Sequence, residues 1–180
     1  IYGLNDEGDV NSSMRRNAKA VNFGILYGIS SFGLSEDLGI NFKEAKSFID
    51  NYLKTYPGIK SYMDDIKRSA YENGFVSTLF GRRRKLDEIK SSNFMVRTSG
   101  ERMALNTPIQ GTAADILKIA MINIYNEFNK RGLRAKIIIQ VHDELLIDCP
   151  SDEVSEVVEI VRAKMENSYK LSVPLKVDIE

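Results

Sequence analysis

The sequence predicts an α+β fold in which a mostly helical portion is followed by a small antiparallel sheet covered by helices. Three observations carry this. Apolar residues recur at helical spacing in several segments between residue 11 and about residue 130. Two β-rich runs, 137–141 and 145–147, flank a three-residue acidic turn, the pattern of a hairpin. A further helical period over 152–167 and a closing β-rich run over 173–179 then supply a cover and another strand.

Composition sets the outer limits. A chain of 180 residues that is 43% hydrophobic can bury a real core as one domain or two small pieces. No apolar run approaches the roughly 18 residues needed to cross a membrane, so no membrane association is expected. The start, Ile-Tyr-Gly-Leu-Asn-Asp-Glu-Gly, is a short polar lead-in without the shape of a signal peptide, and it suits a processed or excised chain better than a natural start. Cys149 is the single cysteine, which excludes an internal disulfide and makes a reducing cytoplasm the expected setting. Net charge is zero, yet it is polarised. Residues 1–142 hold 21 Lys and Arg against 15 Asp and Glu, and residues 143–180 hold 4 against 10. The basic body can follow a phosphate backbone, while the acidic end is either a solvated face or the surroundings of a cation.

The elements follow in order. Asn11 or Ser12 can cap a first helix that runs to about Tyr27 and ends at Gly28. A short helical stretch comes next, and Asn41 with Glu44 three residues on then signals another N-terminus, with Phe42, Ala45, Phe48, Ile49, Tyr52 and Leu53 on its apolar face. Pro57 starts a fourth helix, closed by Asn73-Gly74. Residues 75–80 read as a strand, and Gly81 turns the chain into four adjacent cations, Arg82 to Lys85, either solvated or near an anion. A helix over 93–105 is expected to break at Asn106-Thr107-Pro108, and a long one over 109–130, closed by Gly132, is expected to bury the stripe from Ile109 and Ala113 to Phe128. The last helix turns Val154, Val157, Val158, Val161 and Met165 inward.

The chemistry is concentrated in Arg-Arg-Asn-Ala-Lys-Ala-Val-Asn-Phe-Gly-Ile-Leu-Tyr-Gly, residues 15–28. Arg15, Lys19, Phe23 and Tyr27 are four apart, a step of about 40° around a helix, so they share one face. Met14, Ala18, Val21 and Ile25 form a separate apolar stripe. Two cations near a helix N-terminus suit a polyphosphate, and two flat rings further along suit a base or sugar. The alternative is a solvated cationic edge above two core aromatics. Arg102, Asn106 and Gln110 make a second line of polar side chains, fit either for acceptors in a groove or for caps and surface. At the hairpin tip stand His142, Asp143 and Glu144, where His142 is either a hydrogen-bonded structural residue or part of a site.

Together these strings resemble family A DNA polymerases, the bacterial DNA polymerase I type. The first fills every fixed position of Arg-Arg-x-x-Lys-x-x-Asn-Phe-Gly-x-x-Tyr-Gly, the nucleotide-binding helix of the fingers. Glu101-Arg102-x-x-x-Asn106-x-Pro108-x-Gln110-Gly111-x-Ala113-Ala114-Asp115 and Gln-Val-His-Asp-Glu, 140–144, follow in the family's order. The resemblance implies a fingers portion over 1–92 and a partial palm over 93–180. It implies that Arg15 and Lys19 bind the incoming triphosphate, with Lys19 also catalytic, that Phe23 packs on its sugar and base, and that Tyr27 stands by the templating base. Phe at position 23 looks like the members that discriminate against dideoxynucleotides. Arg102, Asn106 and Gln110 would contact primer–template DNA in the minor groove, His142 would position the primer end, Asp143 would bind catalytic Mg²⁺ and Glu144 would support it. A phosphate contact is also implied for part of the Gly-Arg-Arg stretch, where Leu86-Asp87-Glu88-Ile89 replaces the usual Leu-Pro-Asp-Ile.

The expected activity is template-directed addition of deoxynucleotides to a primer 3′ end, with deoxynucleoside triphosphates, primer–template DNA and the remainder of the polymerase chain, thumb and first half of the palm, as partners. The family's second metal-binding carboxylate lies in a motif resembling Asp-Tyr-Ser-x-Ile-Glu-Leu-Arg, which these 180 residues do not contain. Alone they are therefore expected to be inactive. A non-catalytic nucleotide- or DNA-binding module is the alternative.

Overall fold

The computed structural model describes residues 11–180, so the polar lead-in lies outside the described residues. The chain divides into two compact units, residues 1–109 and 110–180.

The first unit opens with four helices, α1 (Ser12–Leu26), α2 (Ser31–Leu38), α3 (Phe42–Thr55) and α4 (Pro57–Asn73). Local signals set their ends. Asn11, Ser30 and Asn41 each accept a backbone N–H with their side-chain oxygen, satisfying a donor the helix itself cannot, and the N–H of Glu44 reaches Asn41 Oδ1 at 2.9 Å. Pro57 occupies the first turn of α4, where its missing N–H costs nothing. Val21, Ile25, Leu34, Ala45 and Tyr52 close a core between α1, α2 and α3. Phe42, expected on the apolar face, is 56% exposed because it lies at the first position of α3, before the helix meets its neighbours.

A second core of Ala70, Val76, Leu86, Ile89 and Ala104 sits under a short hairpin. Here the strand expected over 75–80 is shorter, β1 (Phe75–Ser77), and part of the basic stretch is itself a strand, β2 (Arg83–Lys85), paired antiparallel with Phe75 opposite Lys85 and Ser77 opposite Arg83. The reason is the tight turn between them, in which Thr78 donates to the Arg82 carbonyl and Gly81 takes φ 79°. Asp87–Lys90 form a 3₁₀ turn that buries Ile89.

Helix α5 (Phe94–Arg131) passes from the first unit into the second and runs unbroken through Pro108. The expected interruption at 106–108 does not occur. A proline removes one N–H and one hydrogen bond, but the buried residues Ala104 and Leu105 before it and Leu117 and Ala120 after it hold both halves by packing. The Thr107 hydroxyl also donates to the Met103 carbonyl at 2.7 Å. Gly100 permits a close approach, since a Cβ there would lie 2.8 Å from the Ile89 nitrogen.

In the second unit, α5 is followed by β3 (Lys136–Val141), β4 (Glu144–Asp148) and α6 (Val154–Glu166). Ile124, Phe128, Ala135, Val157, Ile160 and Val161 form its core. Ile109 and Ala113 are exposed, so the buried stripe of α5 begins later than expected. Val154 is likewise 45% exposed and Ile160 is buried instead, a rotation of the buried face set by where α6 meets α5. No ladder forms over 173–179. Pro174 brings no donor, and the Val177 N–H is taken by Glu166 Oε1 at 3.2 Å, so the final run stays outside the two-stranded sheet. Among the described residues no helix is long and apolar enough to cross a membrane.

An ionic group braces this unit. Glu127 accepts from Arg131 Nε at 2.7 Å and pairs with Lys164 Nζ at 3.1 Å, while Arg131 also reaches Glu156 at 2.9 Å. The hydrogen bond from Arg131, then that from Lys164, holds the Glu127 carboxyl down at about 2. A carboxyl depressed on folding contributes stability above its unfolded value near 4.5, and that contribution is lost as the pH falls towards the folded value. Urea unfolding of wild type and Glu127→Gln between pH 5 and about pH 2 is expected to show a smaller acid loss in the variant; equal losses would contradict this role for Glu127.

Candidate functional site

The candidate site begins on α1, where periodicity and capping leave one face for packing and one exposed. Asn11 caps the helix, and Gly28, at φ 73°, ends it after Tyr27. Val21 and Ile25 face the core, at 1% and 2% exposure. On the other side Arg15 and Lys19 are exposed, and Phe23 and Tyr27 are 51% and 37% exposed. Neither ring belongs to the core, which removes the alternative of core aromatics under a solvated edge. Their centroids are 6.3 Å apart with planes 26° from parallel, forming an apolar platform one turn beyond the two cations.

The same unit brings Arg102 to the end of this helix. A Cβ on Gly28 would lie 3.0 Å from Leu105 Cδ1 and 3.5 Å from Arg102 Cγ, so α1 ends against the turn of α5 that carries Arg102. The guanidinium-bearing side chain of Arg102 is exposed, while Asn106 is half-buried and its Oδ1 is buried without a hydrogen-bond partner among the described residues. Gln110, exposed, lies four residues further along α5, in the second unit.

The basic stretch is partly committed within the protein. The Arg83 guanidinium lies 4.5 Å from the centroid of the Phe75 ring, and Arg84 donates towards Thr107 Oγ1 at 3.4 Å and Met103 Sδ at 2.9 Å.

In the second unit His142 and Asp143 form the tip of the β3–β4 hairpin. The expected three-residue turn is a two-residue one, because Val141 pairs with Glu144, which is the first residue of β4. His142 takes φ 53°, the left-handed conformation such a turn requires, and Gln140 Nε2 donates to its carbonyl at 3.0 Å. His142, Asp143 and Glu144 are all exposed. Adjacent residues on a strand point to opposite faces, so the turn, rather than the ladder, sets the aim of Asp143. Carboxylate oxygens at an open turn suit a hard cation that keeps part of its water. No group of three or more His, Cys, Asp or Glu side chains that could hold a metal ion forms among the described residues.

One polar contact at the edge of the exposed face of α1 carries no signal in the sequence. The Tyr52 hydroxyl of α3 donates to Asn22 Oδ1 at 2.5 Å, joining residues 30 apart.

The chain matches DNA polymerase family A over residues 2–180. It is similar to DNA polymerase I of Lactococcus lactis subsp. lactis (strain IL1403), 51% identical over 178 residues that cover 99% of this chain and 20% of that protein. DNA polymerase I of Bacillus subtilis (strain 168) is 51% identical over 170 residues, covering 94% of this chain and 19% of that one. A solved structure, the POL domain of Pol1 from M. smegmatis in complex with DNA primer-template and dNTP, matches with a TM-score of 0.89 and 44% identity over 94% of this chain and 30% of that chain. The chain spans about a fifth of the length of the curated relatives it matches.

Proposed function

Because the chain belongs to DNA polymerase family A, we propose that it supplies the nucleotide-binding helix and one metal-binding carboxylate of a DNA-directed DNA polymerase. The observation that carries this reading is the outward face of α1, where two cations and two exposed rings follow one another every four residues. Arg15 and Lys19 bind the triphosphate of an incoming deoxynucleotide by charge-assisted hydrogen bonds, and Lys19 offsets the charge that grows on the departing pyrophosphate. Phe23 packs on the sugar and base, and Tyr27 stands beside the templating base. Arg102, Asn106 and Gln110 meet minor-groove acceptors that every correct pair presents, so they respond to pair shape without reading sequence. His142 positions the primer end. Asp143, supported by Glu144, would hold Mg²⁺, which when bound activates the 3′-hydroxyl and stabilises charge on the transferred phosphoryl group.

The division into a fingers portion, 1–92, and a palm portion, 93–180, belongs to the same reading, as do the partners: primer–template DNA, deoxynucleoside triphosphates, and the remainder of the polymerase with its thumb and first half of the palm. A reducing cytoplasm suits a chain with one cysteine.

Primer extension with Mg²⁺ tests the proposal. The full-length gene product is expected to add only the nucleotide complementary to the template, and the 180 residues alone are expected to add none, because one carboxylate motif cannot hold two ions. Primer–template binding without incorporation by the full-length product would replace this reading with that of a binding module. Incorporation by the 180 residues alone would remove the need for a second carboxylate.

A further inference from the structure

We infer that Tyr52 is a positioning residue for nucleotide binding, acting through its hydrogen bond to Asn22 to fix the rotation of α1 about its own axis. The inference rests on the function proposed above and concerns two residues outside the ligand face.

The packing of α1 explains why such a device matters. Val21 and Ile25 press against Leu34, Ala45 and Tyr52, and burial of this kind is non-directional, so it sets the distance between helices more firmly than the roll of either one. The ligand face depends on that roll. Side-chain tips lie about 6 Å from a helix axis, so a roll of about 20° carries them about 2 Å. A displacement of about 2 Å takes a side-chain donor out of hydrogen-bond range of a phosphate oxygen and so weakens nucleotide binding. A hydrogen bond is directional and supplies the restraint that apolar packing lacks.

The Asn22–Tyr52 contact is built for this role. Asn22 immediately precedes Phe23, lies seven residues after Arg15 and is half-buried, so its side chain marks the edge between the ligand face and the buried face of α1. Tyr52 is 6% exposed, and its ring lies 5.0 Å from that of Tyr56 at an interplanar angle of 55°. Its hydroxyl donates to Asn22 Oδ1 at 2.5 Å. Burial, and then the neighbouring Tyr56, raises the Tyr52 hydroxyl above its ordinary value. Both helices belong to one compact unit, so the restraint acts within a single body.

The test uses the full-length gene product in single-nucleotide incorporation on a primer–template, comparing wild type, Tyr52→Phe, Asn22→Ala and the double variant. Tyr52→Phe keeps the ring and removes only the donor. Each single variant is expected to raise KM for the incoming nucleotide about tenfold, the equivalent of one buried hydrogen bond, with kcat and primer–template affinity unchanged. The double variant is expected to match the single ones rather than reach about a hundredfold, because both substitutions remove the same contact. A lowered melting temperature with KM unchanged in Tyr52→Phe would make the contact merely structural and overturn the inference. A double variant with multiplied effects would overturn it as well. If Asn22→Ala fails to fold, Tyr52→Phe alone decides by the same KM criterion. Absence of templated incorporation by wild type would overturn the proposed function itself, and is distinguishable because it precedes any comparison of variants.

Discussion

Asp143→Ala in the full-length gene product is expected to lower the rate of templated incorporation by about 10³-fold or more, since an ion-holding carboxylate contributes several kcal/mol to transition-state stabilisation. Primer–template affinity is expected to stay within about twofold of wild type, because Asp143 adds negative charge and no phosphate contact. The fold should persist. Asp143 is exposed at the hairpin tip and its backbone turn is set by the pairing of Val141 with Glu144, so alanine leaves the ladder and core intact. Single-turnover incorporation, with circular dichroism as the control for folding, measures both quantities. Retained incorporation would remove Asp143 from the chemistry.

Lys19→Ala is expected to lower kcat/KM for the incoming nucleotide by about a hundredfold, the loss of one or two charge-assisted hydrogen bonds to phosphate in a partly desolvated site. Its signature differs from that of Asp143→Ala, because the loss falls on nucleotide affinity as well as on turnover. Lys19 is exposed on α1 and lies away from the buried Val21 and Ile25, so the variant should melt with wild type. Titration of the nucleotide at saturating primer–template measures the split. An unchanged kcat/KM would mean that the cationic half of the α1 face is only solvated surface.

The parts of the fold that were legible in the sequence are those determined locally. The cap at Asn11, the helix to Tyr27 and the stop at Gly28 follow from one side-chain acceptor, a 3.6-residue period and one residue free to take positive φ. Pro57 at a helix start is equally local. The errors arise where distant packing overrides a local rule. Pro108 looks like a break because it removes a hydrogen bond, yet the cores on either side of it hold α5 together. The run over 173–179 has strand composition, but a strand needs ladder partners, and Glu166 takes the Val177 N–H instead. The stretch Arg82 to Lys85, read as solvated or near an anion, is exposed, and what its charges do not signal is that the turn at Gly81 pairs Arg83–Lys85 with β1.

The candidate site divides in the same way. That Arg15, Lys19, Phe23 and Tyr27 share a face follows from spacing alone, whereas the outward placement of the rings depends on which stripe of α1 meets α2 and α3. The approach of Arg102 to Gly28 depends on the path of the chain between them, and so does the hydrogen bond between Asn22 and Tyr52. Periodicity contains no information about either.

The measurement that bears most directly on the central claim is single-nucleotide incorporation by full-length wild type, Lys19→Ala and Asp143→Ala, each titrated with nucleotide at several Mg²⁺ concentrations. If α1 holds the triphosphate and the hairpin carries a metal-binding carboxylate, Lys19→Ala will show a raised KM for nucleotide at every Mg²⁺ concentration, and Asp143→Ala will show turnover near zero that added nucleotide does not restore. Two variants that respond alike, or that both incorporate as wild type does, would contradict the assignment of nucleotide binding to α1 and metal binding to Asp143.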